Sequence, residues 1–513
     1  MRILFVISFF LNLLFKMLNF IIKMCNFNKS RQIPPTNDDL FDLSASVLAK
    51  KIRFGEITSQ EVVKAYIQRI KLVNPIINAV IEDRFEKALE EAMMCDRKIK
   101  NGELTIFEME KQKPLYGVPF TVKESCMLKG LSYTGGSYAQ KGRKALDNGE
   151  AIELMINAGG IPLCVTNIPE LCTGFDSYNF LYGKTYNPYN TKCGAGGSSG
   201  GEGALIGSGS SLIGIGSDLA GSIRIPALFN GIFGHKPSRG IVSVKGHLPL
   251  PDDEVFIRCG TVGPLARYVE DLYLTMKVLT VKHNQDLHLD DPVNLKKLNV
   301  YYLENIEDKF GIIQTQQEIR TCIREAVRHL QDCGSNVEKY PGSFSNLCDA
   351  ILNRILSMKF PILLDPNNSK NERSLICELP KSILGCSKYT FGAIFIKFLS
   401  IIVKRNESMD EGLKIQCQYL TNLLNDNGVI ILPTFALTAP VGRLIQLIMI
   451  NGLYCPIWNY FGFPATNVPM GFDKNGLPIG FQVIAAPYQD RLCLAVAKEL
   501  EKSFGGWIPP YRS

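Results

Sequence analysis

The chain has 513 residues, of which 46% are hydrophobic and 20% charged; this composition supports a sizeable buried core and excludes a disordered or collagen-like protein. Its formal net charge of +7 is spread along the sequence without a basic stripe, which argues against a nucleic-acid partner. The fifteen cysteines form no CxxC pair and are read as having no histidine at metal-ligand spacing, so reduced thiols are expected, with no metal and no cofactor.

Residues Ile3 to Ile22 read ILFVISFFLNLLFKMLNFII, a run long enough to cross a bilayer at about 1.5 Å per residue. Asn12, Lys16 and Asn19 interrupt it, and no small-x-small cleavage site follows. Residues 1–30 therefore predict an uncleaved membrane anchor, the alternatives being an interfacial helix or a helix docked on the protein's own core. Arg2 lies on one side and Lys23, Lys29 and Arg31 on the other, which leaves orientation and compartment open.

A polar, proline-containing linker occupies residues 31–40, and residues 41–513 carry soluble-domain patterning. Thr58 and Glu61 form a T-x-x-E capping box, after which Val62, Tyr66, Ile67, Ile70 and Val73 recur at helical spacing until Pro75. A second helix is predicted from Phe85 to Lys100, ending before Gly102. Short apolar runs at Gly117–Lys123, Ile161–Asn167, Lys297–Leu303 and Gly428–Thr434 predict strands, and Gln316–Gln331 predicts a helix between them. Strands alternating with helices give an α/β fold whose sheet is covered on both faces.

One segment departs from this background: from Gly194 to Gly216, ten of 23 residues are glycine, interleaved with serine. Such density costs backbone entropy, so a folded chain carries it where it turns tightly or approaches something closely. A flexible linker is excluded by the apolar pieces ALIG and SLIGIG and by the DLAGSIRIPALFNGIFGHKP that follows. A phosphate cradle lacks its GxxxxGK[ST] pattern. A nucleophile elbow is satisfied literally by Gly196-Gly197-Ser198-Ser199-Gly200, with Ser198 as nucleophile. That reading needs a histidine, and none of His235, His247, His283, His288 and His329 has a triad context, so no histidine is given a role.

The longer pattern GGSSGGEGALIGSGSSLIGIGSDLAGSIRIPALFNGIFGHKP resembles the amidase-signature family, with Ser222 following Ser198 by 24 positions. GVPFTVKES is similar to the strand that ends in that family's catalytic lysine, here Lys123, and further similar pieces are ILPTFALTAP and FGFPATNVPMGFDKNGLPIGFQVIA. The resemblance covers roughly residues 40–505 and implies a single large domain with a central twisted mixed sheet covered by helices, plus the N-terminal hydrophobic helix. It also implies Ser222 as nucleophile, Ser198 as proton bridge behind a cis peptide bond, and Lys123 as base. Backbone N–H groups of Leu219, Ala220 and Gly221, with Ser222 itself, would form the oxyanion hole. The chemistry is coherent: an amide needs an activated hydroxyl, an oxyanion stabiliser and a proton for the leaving nitrogen. A lysine serves as base when neutral, and burial favours the neutral amine. Ala220 stands where the family commonly has glycine, which is tolerated if the position does not need a positive φ.

The apolar N-terminus points, within this family, towards the enzymes that hydrolyse fatty-acid amides. The expected partners are then a lipid amide substrate and a membrane, and a homo-oligomer is left open. Phe391–Arg405, FGAIFIKFLSIIVKR, reads as a membrane-dipping helix, an acyl-channel wall or a buried core helix. Two other functions stay in play: an amidase of small soluble amides or glutamine-hydrolysing amidotransferase subunit, and a catalytically inactive binding protein.

Overall fold

The computed structural model describes residues 2–25, 30–249, 253–306, 310–359 and 362–512. Eleven strands build its centre: β1 (Val80–Asp83), β2 (Pro119–Lys123), β3 (Ile161–Thr166), β4 (Ile213–Asp218), β5 (Phe233–Lys236), β6 (Thr261–Ala266), β7 (Asn299–Tyr302), β8 (Asn336–Lys339), β9 (Gly428–Leu432), β10 (Ala465–Phe472) and β11 (Pro478–Ala485). They lie in the order β1-β3-β2-β4-β6-β5-β10-β11-β9-β7-β8. β3, β2 and β4 run parallel, as do β9, β7 and β8, and the remaining pairs are antiparallel, so the sheet is mixed as expected.

Burial on both faces explains why the strands read as unbroken apolar runs. Along β9, Val429 and Ile431 enter one core with Val483, Ile323 and Leu500, while Ile430 and Leu432 enter the other with Leu347 and Leu399.

The helices that matter for the site are α1 (Arg2–Cys25), α2 (Ser59–Ile77), α3 (Phe85–Lys100), α4 (Gly200–Gly207), α5 (Arg224–Phe229), α6 (Gln317–Asp332), α7 (Ser345–Leu356), α8 (Phe391–Ile402) and α9 (Asp490–Phe504). The Thr58 and Glu61 capping box opens α2 as expected. The helix does not stop at Pro75 but runs to Ile77. Proline removes one N–H, and the closing turn is held by other bonds. Asn78 N–H donates to the Asn74 carbonyl at 2.8 Å, and Asn74 Oδ1 accepts from Ala79 and Val80 N–H at 2.8 Å each.

Within α1, Leu4–Ile22 has a mean hydropathy of 2.1 and is long and apolar enough to cross a membrane. One side of it is fastened to the body. Ser8 Oγ and Asn12 Nδ2 both donate to the Gly311 carbonyl, at 2.6 and 2.9 Å, and Asn451 Nδ2 donates to Asn12 Oδ1 at 2.9 Å. Asn12, an intruder in an apolar run, is thereby buried with its amide satisfied. The other side exposes Phe10, Leu13, Met17 and Phe20. Lys29, one of the flanking cations, lies outside the described residues.

Candidate active site

β2 and β4 are parallel neighbours, so their C-terminal residues emerge at the same end of the sheet. Lys123 ends β2, while Ser217 and Asp218 end β4. Lys123 is fully buried, and its Nζ lies 2.7 Å from Ser198 Oγ, 2.8 Å from Ser217 Oγ and 3.4 Å from the Ser217 carbonyl. Ser198 follows a cis peptide bond from Gly197, as expected.

The glycine-rich segment supplies close approach. It winds into α4 against the sheet, where a Cβ on Gly201 would sit 2.5 Å from the Asn167 backbone nitrogen. The only acidic side chain of α4, Glu202, accepts from the Thr121 and Thr166 hydroxyls at 2.6 and 2.7 Å, and burial pushes its carboxyl up to about 7.

Between β4 and α5 the chain turns through Leu219, Ala220, Gly221 and Ser222 around the Asp218 carboxylate. Asp218 accepts from Gly221 N–H at 2.7 Å, Ile223 N–H at 3.0 Å, Asn459 Nδ2 at 2.9 Å and Arg224 Nη2 at 3.0 Å. Burial alone would raise this carboxyl, but Arg224 and the other donors outweigh it and hold the group well below the ordinary carboxylate range. The turn's left-handed residue is Gly221, at φ +118°, and Ala220 is not among the residues with positive φ. The methyl group at 220 therefore leaves the turn undistorted. A side chain at 221 would not, since its Cβ would meet the Cys455 side chain at 2.8 Å.

The four expected oxyanion donors divide. Gly221 N–H is taken by Asp218, whereas among the described residues the N–H groups of Leu219, Ala220 and Ser222 have no partner within the protein. The Ser222 carbonyl accepts from Ser199 N–H at 3.1 Å, which ties the two serine-bearing loops together. Among the described residues no hydrogen bond engages the Ser222 hydroxyl, and Ser198 and Ser222 are not joined directly.

Both serines line one cavity with Ser217, Leu219, Ala220 and His247. Beyond Asp218, Thr173, Thr261 and Ser400, most of the rest of its wall is apolar, with Leu352 and Ile355 from α7, Phe395, Ile396 and Leu399 from α8, and Met449. Of the readings of Phe391–Arg405, the structure makes α8 a cavity wall on one side, with Phe391, Ile401 and Ile402 exposed, and the helix ends at Ile402. Leu171 and Cys172 also line the cavity, at φ +47° and +60°, a left-handed strain of the kind that surrounding structure holds at functional sites.

No histidine has a role in the sequence reading, and the structure sets one of the five, His247, in the cavity wall. This buried ring lines the cavity, with Nδ1 2.9 Å from the Pro249 carbonyl and Nε2 2.8 Å from Ser217 Oγ and 3.1 Å from Ser125 Oγ. Burial pushes its imidazole down to about 4, in the direction that a protonated Lys123 beside it would also act. No local motif marks it, because its partners lie 30 and 122 residues upstream. The histidine and cysteine spacing needs correction: His329 and Cys333 stand one helical turn apart and, with Glu499 of α9, place donor atoms within 4.8 Å of one another. None of the three lines the cavity.

The amidase family profile matches residues 61–494. Fatty-acid amide hydrolase 2 of Homo sapiens is 36% identical over 93% of this chain and 92% of its own length. Fatty-acid amide hydrolase 2-B of Danio rerio is 38% identical over 94% and 93%, respectively. A solved structure described as fatty acid amide hydrolase shares the fold, with a TM-score of 0.72 at 23% identity over 93% of this chain and 88% of that one. The chain belongs to the amidase family of amide-hydrolysing enzymes.

Proposed function

We propose that this enzyme cleaves fatty-acid amides through a Ser222 acyl-enzyme, with Ser198 and Lys123 moving the proton. The observation that carries the reading is the 2.7 Å contact between Lys123 Nζ and Ser198 Oγ, with Ser198 and Ser222 together lining a largely apolar cavity. Neutral Lys123 accepts the Ser198 proton while Ser198 accepts that of Ser222, and Ser222 Oγ bonds to the amide carbon. A Ser198 and Ser222 not yet bonded to each other are compatible with this sequence, since catalytic hydrogen bonds often tighten only when substrate is bound. The free N–H groups of Leu219, Ala220 and Ser222 stabilise the oxyanion. The C–N bond then breaks, Ser198 delivers a proton to the departing nitrogen and recovers one from Lys123, and water releases the acid from the Ser222 ester.

Apolar walls from α7 and α8 suit an acyl chain, and relatives named fatty-acid amide hydrolase 2 support that substrate class. The exposed apolar faces of α1 and α8 support a lipid surface as the place where the enzyme meets it. Labelling with a serine-directed fluorophosphonate, mapped by mass spectrometry, tests the chemistry. Ser222 is the expected labelled residue, and Ser222→Ala abolishes labelling and turnover together. Labelling that survives Ser222→Ala and disappears in Ser198→Ala moves the nucleophile to Ser198, while a parent chain that never labels is a binding protein.

A further inference from the structure

We propose that His247 is a positioning residue of this centre, which holds the Ser217 hydroxyl so that the lone pair of Lys123 is left facing Ser198. The inference rests on the amide-hydrolase reading above and adds a residue to it. A carbonyl oxygen can only accept, so the 2.9 Å contact with Pro249 places the ring proton on Nδ1 and leaves Nε2 as an acceptor. Burial, which disfavours the charged ring, favours the neutral imidazole. Nε2 therefore receives a hydroxyl proton, and Ser217 Oγ at 2.8 Å is nearer than Ser125 Oγ at 3.1 Å.

The orientation of Ser217 fixes that of the lysine. With its proton directed to His247, Ser217 Oγ faces Lys123 as an acceptor, as does the Ser217 carbonyl. A neutral amine has two N–H bonds and one lone pair. The two Ser217 oxygens take the N–H bonds, and the lone pair is left for the third neighbour, Ser198 Oγ. Without an acceptor at 247, the Ser217 hydroxyl is free to turn its proton onto the lysine lone pair. The base is then occupied by the wrong serine.

A cycle of variants in the full-length chain tests this, read as the rate of fluorophosphonate labelling at Ser222. His247→Phe should slow labelling about 10- to 100-fold at neutral pH, the scale of loss when a base is misdirected. His247→Gln restores a side-chain acceptor and should label within about threefold of the parent. In a Ser217→Ala background the competing hydroxyl is gone, so His247→Phe should change the remaining rate less than about twofold, a strong departure from additivity. His247→Leu enters the same cycle if the phenyl ring does not fit. A merely structural role predicts the same fractional loss with and without Ser217, and that result, or parental labelling by His247→Phe, overturns the proposal. Loss of labelling at Ser222 in the parent would instead remove the hydrolase reading beneath it.

Discussion

Asp218 and Arg224 form an ion pair 3.0 Å apart with neither side chain exposed, and the same carboxylate receives the backbone N–H groups on either side of Ser222. The pair is therefore a folding constraint on the turn that carries the serine. Arg224 is held in its own turn by Gln482 Oε1 at 2.7 Å and by Asn459 Oδ1 at 2.5 Å. Removing the carboxylate strands a guanidinium in the core, a change that costs about 3–5 kcal/mol where a buried pair is broken. Asp218→Asn should lower unfolding free energy on that order at pH 7 and abolish labelling at Ser222. The sign with pH follows from the depressed carboxyl: below the ordinary carboxylate range the unfolded chain binds more protons than the folded one. The pair's contribution is thus present at neutral pH and lost as acid titrates the folded group. Denaturation of parent and variant from pH 7 downward should show the gap narrowing with acid; a constant gap would falsify the assignment.

Lys123 is assigned the base on contact rather than on charge. Lys123→Ala should slow acylation by about two to four orders of magnitude at neutral pH, the range that a positioned general base contributes. Part of the loss should return at high pH, where hydroxide deprotonates serine. Labelling rates from pH 7 to 10 read this directly, and a variant as fast as the parent at pH 7 removes Lys123 from the mechanism.

What could be read in advance follows from where the information lies. The runs of β2, β3, β7 and β9 and the Thr58 box are local patterns, and their ends agree with the structure within two residues. Lys123, Ser198 and Ser222 were found as parts of a long family pattern, and the sheet brings their segments together. His247 was passed over because its hydroxyl partners Ser217 and Ser125 lie 30 and 122 residues upstream, and only the fold sets them beside it. The bond from Gly221 N–H to Asp218 was hidden for a related reason: sequence shows an N–H in the turn but not which group accepts from it. Asn12 counted against an apolar span until its partners Gly311 and Asn451 were known, from about three hundred and more residues away.

The apolar wall gives a prediction for acyl preference. Ile396 projects from α8 into the cavity, and a larger ring there fills space that a long chain needs. Ile396→Trp should reduce kcat/KM for a long-chain amide about tenfold while leaving a short-chain amide within about threefold, a discrimination of about 1 kcal/mol, at the low end of what pocket volume supplies. Parallel kinetics on acetyl and long-chain acyl amides of one amine measure it. Equal losses on both would place the acyl chain elsewhere.

The N-terminal helix gives the last prediction, and its docking sharpens the outcome. Residues 1–30 contain the apolar run, while Lys123, Ser198 and Ser222 all lie beyond it on the sheet and its adjoining turns. Yet α1 is fastened through Asn12 to Asn451, in the segment whose Met449 and Ile450 line the cavity. Deletion of residues 1–30 should therefore release much of the protein from membranes and leave hydrolysis of a short soluble amide nearly unchanged. Hydrolysis of a long-chain amide in vesicles should fall more, because the enzyme no longer shares a phase with its substrate and because one wall of the cavity loses its backing. Asn12→Leu separates the two causes. It keeps the apolar helix but removes the bonds to Gly311 and Asn451, so the variant should stay on vesicles while losing part of its long-chain activity. Membrane binding that survives deletion would point to the exposed face of α8, Phe391, Ile401 and Ile402, as a second contact. A full-length chain that fractionates as soluble protein and prefers small amides would remove the fatty-acid substrate and leave the Ser222, Ser198 and Lys123 chemistry standing.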